Sequence, residues 1–281
     1  MSLKGLSVKN SDDVMLLARI AEQSEQYDDM IEILKPFFES KTTDLTVEER
    51  NILCLAYKNA VGTRRIAWRA ASAVTKLQKY SDYQNESSAY RKKLEEEVVN
   101  MCKDMIKLAK TLCTRAKKDG NTESQIYYHK LQGDYLRYVA EVGDGERLQK
   151  AMQMALDEYN KGIELAEQLS PADPTRLSLL LNYSVFCYET VGQKDQAIEI
   201  ANQSLEDAIQ DIDQVDKAKA QESATILEFI KLNIDQWNSQ KGKSGKNGAG
   251  VNGQTNLFSQ NDSEAQFINQ EDYDDDEDEE Y

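Results

Sequence analysis

Apolar residues recur at three- and four-residue intervals along most of this chain, and nowhere do they alternate with the two-residue period of a strand. Such spacing gathers apolar side chains on one face of a helix. Pro36, Pro171 and Pro174 are the only prolines in 281 residues, so little interrupts the pattern: proline in a helix interior costs about 3 kcal/mol. Long stretches mix Ala, Leu, Glu, Lys and Gln, which lose little rotamer freedom in a helix. With 40% hydrophobic residues there is enough apolar surface for a core. The chain reads as all-α.

The helices can be placed one by one. Val14, Leu17, Ala18 and Ala21 share a face, then Tyr27, Met30, Ile31 and Leu34, predicting two short helices over 11–40. A long helix is expected over about 47–78, entered through Thr46 with Glu49 three residues later, a capping-box pattern. Another covers about 83–117, with Leu94, Val98, Met101, Met105, Ile106, Leu108 and Leu112 as its stripe, and stops at Lys117–Asn121, where cations and Gly120 suit a helix end. A fifth, 122–142, is broken by Gly143 and Gly145, and a sixth follows over 146–169. Asp173 is placed to cap a seventh, 174–191, with Pro174 at its first position and Gly192 after its end. The eighth and ninth cover about 194–212 and 217–238. Short connections predict antiparallel neighbours.

Beyond Trp237 the composition changes. Residues 239–281 hold five of the thirteen glycines and few apolar side chains, and nine of positions 271–281 are acidic. This segment carries half of the net charge of −16. It cannot bury enough apolar surface to offset its ordering entropy. The expected organisation is a helical domain over 1–238 and a disordered Gly/Asn/Ser-containing linker with an acidic tail over 239–281.

The charge also restricts partners. A pI near 4.6 repels nucleic acid and anionic membrane over most of the surface, so any basic site must be local. No apolar stretch reaches membrane-spanning length and the N-terminus has no signal-peptide run, which implies a cytoplasmic protein, reaching the nucleus through partners, with no membrane insertion. The four cysteines, Cys54, Cys102, Cys113 and Cys187, form no C-x-x-C pair, and His129 is the only histidine. A metal site is not expected, and free, largely buried thiols are. His129 stands beside Tyr127 and Tyr128 without a nucleophile motif, and no phosphate loop occurs, so neither catalysis nor a cofactor is expected.

One stretch carries more chemistry than the rest. In residues 50–69 Lys58 and Arg65 stand seven apart, nearly two helical turns, on a helix that also offers Leu53, Ala56, Ala60, Ala67 and Trp68 for packing. Two fixed cations on one face suit a dianion such as a phosphoryl group. A solvated face or ordinary carboxylate pairing is the plain alternative.

This stretch, with Gly133–Tyr138, Leu181–Phe186, Asn233–Trp237 and the early Ala21–Met30, resembles the 14-3-3 family over about residues 10–238. The resemblance implies nine antiparallel helices in a cup-shaped protomer with an amphipathic groove. It implies an adaptor that binds phosphoserine or phosphothreonine segments of other proteins and works as a homodimer or with a paralogue. By position it assigns phosphate binding to Lys58, Arg65, Arg137 and Tyr138, and the peptide backbone to Asn182 and Asn233. Lys130, Leu181, Val185, Ile226, Phe229 and Trp237 fall on groove positions, with Asp134 placed to orient the guanidinium groups. Ile20, Ser24, Asp29, Ala67, Tyr90 and Lys93 fall on dimer contacts, Asp29 facing the partner's lysine at position 93.

There are departures from the family pattern. Phe229 is larger than the usual leucine, Gln236 replaces an apolar residue, Leu232 an acid, and Gln26 an arginine that faces Glu97. The rival reading is a phosphate-blind helical-repeat scaffold, since 181–209 resembles one tetratricopeptide-like hairpin through Tyr183, Tyr188, Gly192, Ala197 and Ala201. The repeat is not sustained upstream, and such arrays need about three copies.

Overall fold

A computed structural model describes residues 11–244, with side chains to 241; the acidic segment expected to be disordered lies almost entirely outside them. Among the described residues there are nine α-helices and no strand. They fall into two compact units dividing after Ala166.

The first unit contains α1 (Ser11–Gln23), α2 (Tyr27–Ser40), α3 (Val47–Val74), a 3-10 segment (Gln78–Tyr83), α4 (Gln84–Lys118), α5 (Thr122–Val142) and α6 (Gly145–Ala166). Each helix packs on its successor. The expected capping box is formed: Thr46 Oγ1 accepts from the Glu49 amide at 3.2 Å, and Glu49 Oε2 accepts from the Thr46 amide at 2.9 Å. Lys41 neutralises the other Glu49 oxygen. The last carbonyls of α2, which no helical amide can reach, are taken by α4: Arg115 Nη1 donates to Phe38 O at 2.9 Å and Nη2 to Glu39 O at 3.0 Å.

Helix α3 stops at Val74 rather than 78. The Thr75 carbonyl that would carry it on accepts instead from Gln84 Nε2 at 2.7 Å, and Leu77 is extended. Helix α6 stops at Ala166 rather than 169, the Leu169 carbonyl being bound by Arg176 Nη1 at 3.0 Å.

The second unit contains α7 (Pro174–Val185), continued by a wider π-type turn over Phe186–Val191, α8 (Lys194–Asp211), a 3-10 turn (Ile212–Gln214) and α9 (Lys217–Ser244). Asp173 caps α7 as expected, accepting from the Thr175 amide at 2.9 Å. Its second oxygen accepts from Lys219 Nζ at 2.8 Å, and Ser223 Oγ donates to Ala172 O at 2.6 Å, so α9 pins the start of α7. Gly192 follows the π turn at φ +82°, a conformation strained for any residue with a Cβ. Helix α9 outruns its expected end at 238 because side chains beyond it have partners: Tyr188 donates to Gln240 at 3.2 Å and Lys241 pairs with Asp195 at 2.5 Å.

Gly133 sets how closely α5 approaches α6. A Cβ there would lie 2.8 Å from Cε1 of Tyr159, a fully buried ring. Alanine is the better helix former by about 1 kcal/mol, but overpacking a rigid core costs about 1–3 kcal/mol. The clash should win: Gly133→Ala should lower stability by about 1–2 kcal/mol in urea unfolding. A variant as stable as the parent would show that the Tyr159 ring yields.

Candidate functional site

Helix α3 presents Lys58, half-buried, and two turns later Arg65, which is only 3% exposed. The sequence pattern treats them as a pair on one face; the structure gives them different surroundings. Arg65 Nε donates to Glu141 Oε2 at 2.7 Å, and Arg69, one turn further, donates to the other Glu141 oxygen at 2.5 Å. Glu141 belongs to α5, which also carries Arg137 and Tyr138. The guanidinium carbons of Arg65 and Arg137 lie 3.8 and 4.8 Å from the centre of the Tyr138 ring. Two arginines from different helices thus gather on one aromatic ring, while lysine sits two turns away on α3.

Bringing like charges together costs energy, and two features offset it. The ring quadrupole attracts each guanidinium by about 0.5–2 kcal/mol. The Glu141 carboxylate neutralises part of the charge and is itself held below the usual carboxylate range: burial works to raise it, and Arg65 and Arg69 outweigh burial. Glu141 also holds the plane of Arg65 through Nε. What results is a fixed, cation-rich cluster with a phenol in it, suited to a multiply charged oxyanion.

Asp134, expected to orient the guanidinium groups, is buried and accepts from Lys130 Nζ at 3.2 Å and from the Tyr159 hydroxyl at 2.6 Å. Burial first, then the Asp134 charge, raises the Tyr159 phenol well above its ordinary value, so it remains a neutral donor. Lys130 is 1% exposed, enclosed rather than open to solvent. Glu141, Arg69 and Tyr159 were missed in the sequence. The available signal was spacing: Glu141 is four residues after Arg137, and Arg69 four after Arg65.

In the second unit, Leu181, Asn182 and Val185 lie on α7, and Ile226, Phe229, Asn233 and Trp237 recur on α9 at helical spacing. Leu181 and Ile226 are buried, while Asn182, Val185 and Phe229 are half-buried. Trp237 is buried with its ring stacked on Tyr188 at 4.5 Å and 9°. Asn233 is 2% exposed, and its Oδ1 has no hydrogen-bond partner among the described residues. An unsatisfied buried acceptor costs about 1–3 kcal/mol, which a main-chain amide of a ligand would recover. Leu232, by contrast, is exposed and Gln236 half-buried.

The residues at dimer positions lie in the first unit. Ile20 and Tyr90 are 56% and 55% exposed, large values for apolar side chains, and Ser24 is exposed beside Ile20. Asp29 and Ala67 are half-buried, and Lys93 is exposed with Nζ 3.7 Å from Glu97. Leu16 and Ile66 are further exposed apolar residues that the sequence reading did not single out. Gln26 donates to the Ser24 carbonyl at 3.0 Å. Glu97 is engaged by Arg64 at 2.9 Å, and the same guanidinium reaches Asp28 at 2.8 Å.

The family model described as 14-3-3 protein matches residues 17–238. A 14-3-3 protein homolog of Trichoderma harzianum is 37% identical over 239 residues, covering 83% of this chain and 89% of the relative. The 14-3-3 family protein artA of Aspergillus flavus is 37% identical, with 82% and 97% covered. The checkpoint signal transducer rad24 of Schizosaccharomyces pombe is 36% identical, with 83% and 87% covered.

Proposed function

The chain belongs to the 14-3-3 family, a family of adaptors, and on that premise we propose that it binds phosphoserine- or phosphothreonine-containing segments of partner proteins. The observation that carries this reading is the convergence of Arg65 and Arg137 on Tyr138, with Glu141 bracing Arg65. Phosphate oxygens are taken by Arg65, Arg137, Lys58 and the Tyr138 hydroxyl. Arginine supplies a planar fork and lysine a point charge. Asn182 and Asn233 are assigned to the ligand's main chain, since an amide pairs with both N–H and C=O without reading sequence. The reading includes residence in the cytoplasm; no described helix is long and apolar enough to cross a membrane.

Calorimetry with one peptide in phosphorylated and unphosphorylated form tests the proposal. Binding only of the phosphorylated form is expected. Equal affinity for both would replace it with the phosphate-blind scaffold.

A dimer belongs to the same reading. Exposed Ile20, Tyr90, Leu16 and Ile66 give the first unit apolar surface to cover, and Asp29 with the partner subunit's Lys93 adds a salt bridge. Sedimentation should show a dimer at micromolar concentration that dissociates more readily when Lys93 is changed to Glu. A monomer at tens of micromolar would refute it.

A further inference from the structure

The only histidine in the chain is not solitary. His129 on α5 places Nε2 3.5 Å from Cys113 Sγ on α4 and Nδ1 2.7 Å from Glu158 Oε2 on α6. Lys161 Nζ holds the other Glu158 oxygen at 2.6 Å. Thiol, imidazole and carboxylate stand in a row across three successive helices, the order in which a nucleophile, its base and the group that orients the base are arranged. We propose that Cys113, His129 and Glu158 form a reactive-thiol site whose sulfur is oxidised by small hydroperoxides.

Each member has a defined task. Glu158 accepts from Nδ1 and thereby turns Nε2 to the sulfur. When Nε2 takes the thiol proton, the product is a thiolate beside an imidazolium that Glu158 stabilises. The charge state of the ring agrees. Burial opposes a charged imidazole, but the Cys113 contact and then Glu158 push the His129 pKa up to about 9. The Glu158 carboxyl is held below its usual range despite burial, by His129 first and Lys161 next. The charged groups around the ring are therefore Glu158 and Lys161 from α6, with Asp157 acting on Lys161.

The other thiols differ. Cys54, Cys102 and Cys187 are buried, and only Cys113 is partly open. Burial pushes the Cys102 and Cys187 thiols up, which keeps them unreactive. Cys113 is partly exposed and the His129 and Glu158 side chains are each 17% exposed, so the row borders solvent.

The reaction balances with groups in place. The Cys113 thiolate attacks one peroxide oxygen, an S–O bond forms and the O–O bond breaks. Sulfur is oxidised by two electrons, and the departing hydroxide takes the proton of the His129 imidazolium and leaves as water. The products are a sulfenic acid on Cys113 and neutral His129. The other three thiols being buried, the sulfenic acid meets reducing thiols from solution rather than from the chain. The site acts once per oxidation and stands independently of the phosphate site.

The test uses the full-length protein. Brief treatment with iodoacetamide at neutral pH, or with hydrogen peroxide followed by dimedone, should label Cys113 ahead of the other three cysteines by peptide mass spectrometry. Cys113→Ser should abolish this label, and His129→Gln should slow it on the order of tenfold, with Glu158→Gln intermediate. Labelling of the three buried cysteines reports on folding in each variant. The single histidine provides a second readout: its ring signals in NMR should titrate near 9 in the wild-type protein and at lower pH in Cys113→Ser. A ring titrating at the ordinary value of about 6.5, or equal Cys113 labelling in wild type and folded His129→Gln, would overturn the proposal.

Discussion

Lys58→Glu is expected to abolish phosphopeptide binding while leaving helical content unchanged, and Arg137→Ala to weaken binding steeply. Lys58 is half-buried whereas Arg65 is only 3% exposed, so reversing the lysine acts on the ligand more than on the fold. A charge-assisted hydrogen bond contributes about 1.5–3 kcal/mol. Loss of one therefore lowers affinity roughly tenfold to a hundredfold, and reversal adds repulsion of a dianion. Arg137 is more deeply set, and truncating it also removes its contact with the Tyr138 ring. Lysine at 137 should not restore wild-type affinity, because the planar fork is lost. Circular dichroism separates loss of binding from loss of fold. Unchanged affinity in Lys58→Glu would remove Lys58 from the site.

Glu141→Ala is expected to be the most destabilising single change at the site. The carboxylate is shared by Arg65 and Arg69, and Arg137 is near by through the Tyr138 ring. Without it Arg65 remains buried and loses its carboxylate. Breaking a buried pair costs about 3–5 kcal/mol; Glu141 keeps some contact with solvent, so about 2–4 kcal/mol is the expected loss. The pH dependence follows from the sign of the shift. The folded pKa of Glu141 is depressed below 4.5, so its stabilisation is present above that value and is lost as pH falls through the folded pKa. The stability gap between wild type and Glu141→Gln in urea should be wide at neutral pH and should close on acidification below 4.5. A gap that persists unchanged into acid would mean that the carboxylate's charge is not what Arg65 needs.

These two residues mark where reading the sequence succeeds and where it stops. The Thr46–Glu49 box, the Asp173 cap with Pro174, and the ends at Gly120 and Gly192 were legible because caps and breakers act within about four residues along the chain. The helical periods and the register of Lys58 with Arg65 are local in the same sense, and with Arg137, Tyr138 and the two asparagines they were enough to suggest the family. Glu141 was not legible as the partner of Arg65, since the pair is 76 residues apart and any of many carboxylates would have matched as well. The hydrogen bond of Asp134 to Tyr159, 25 residues away on the next helix, is likewise set by packing. Helix α9 outran its expected end because Asp195 and Tyr188, more than forty residues back, hold Lys241 and Gln240.

The sequence by itself determined where helices form and which of their faces carry charge, because backbone propensity, capping and periodicity are short-range. Only the tertiary structure decided which charges meet. The approach of α5 to α3 and α6 puts Glu141 between two arginines, sets Gly133 against Tyr159, and turns a histidine with no visible partner into the middle of a Cys113–His129–Glu158 row. Side-chain chemistry between helices depends on distances of a few ångströms, and those are fixed by packing rather than by spacing along the chain.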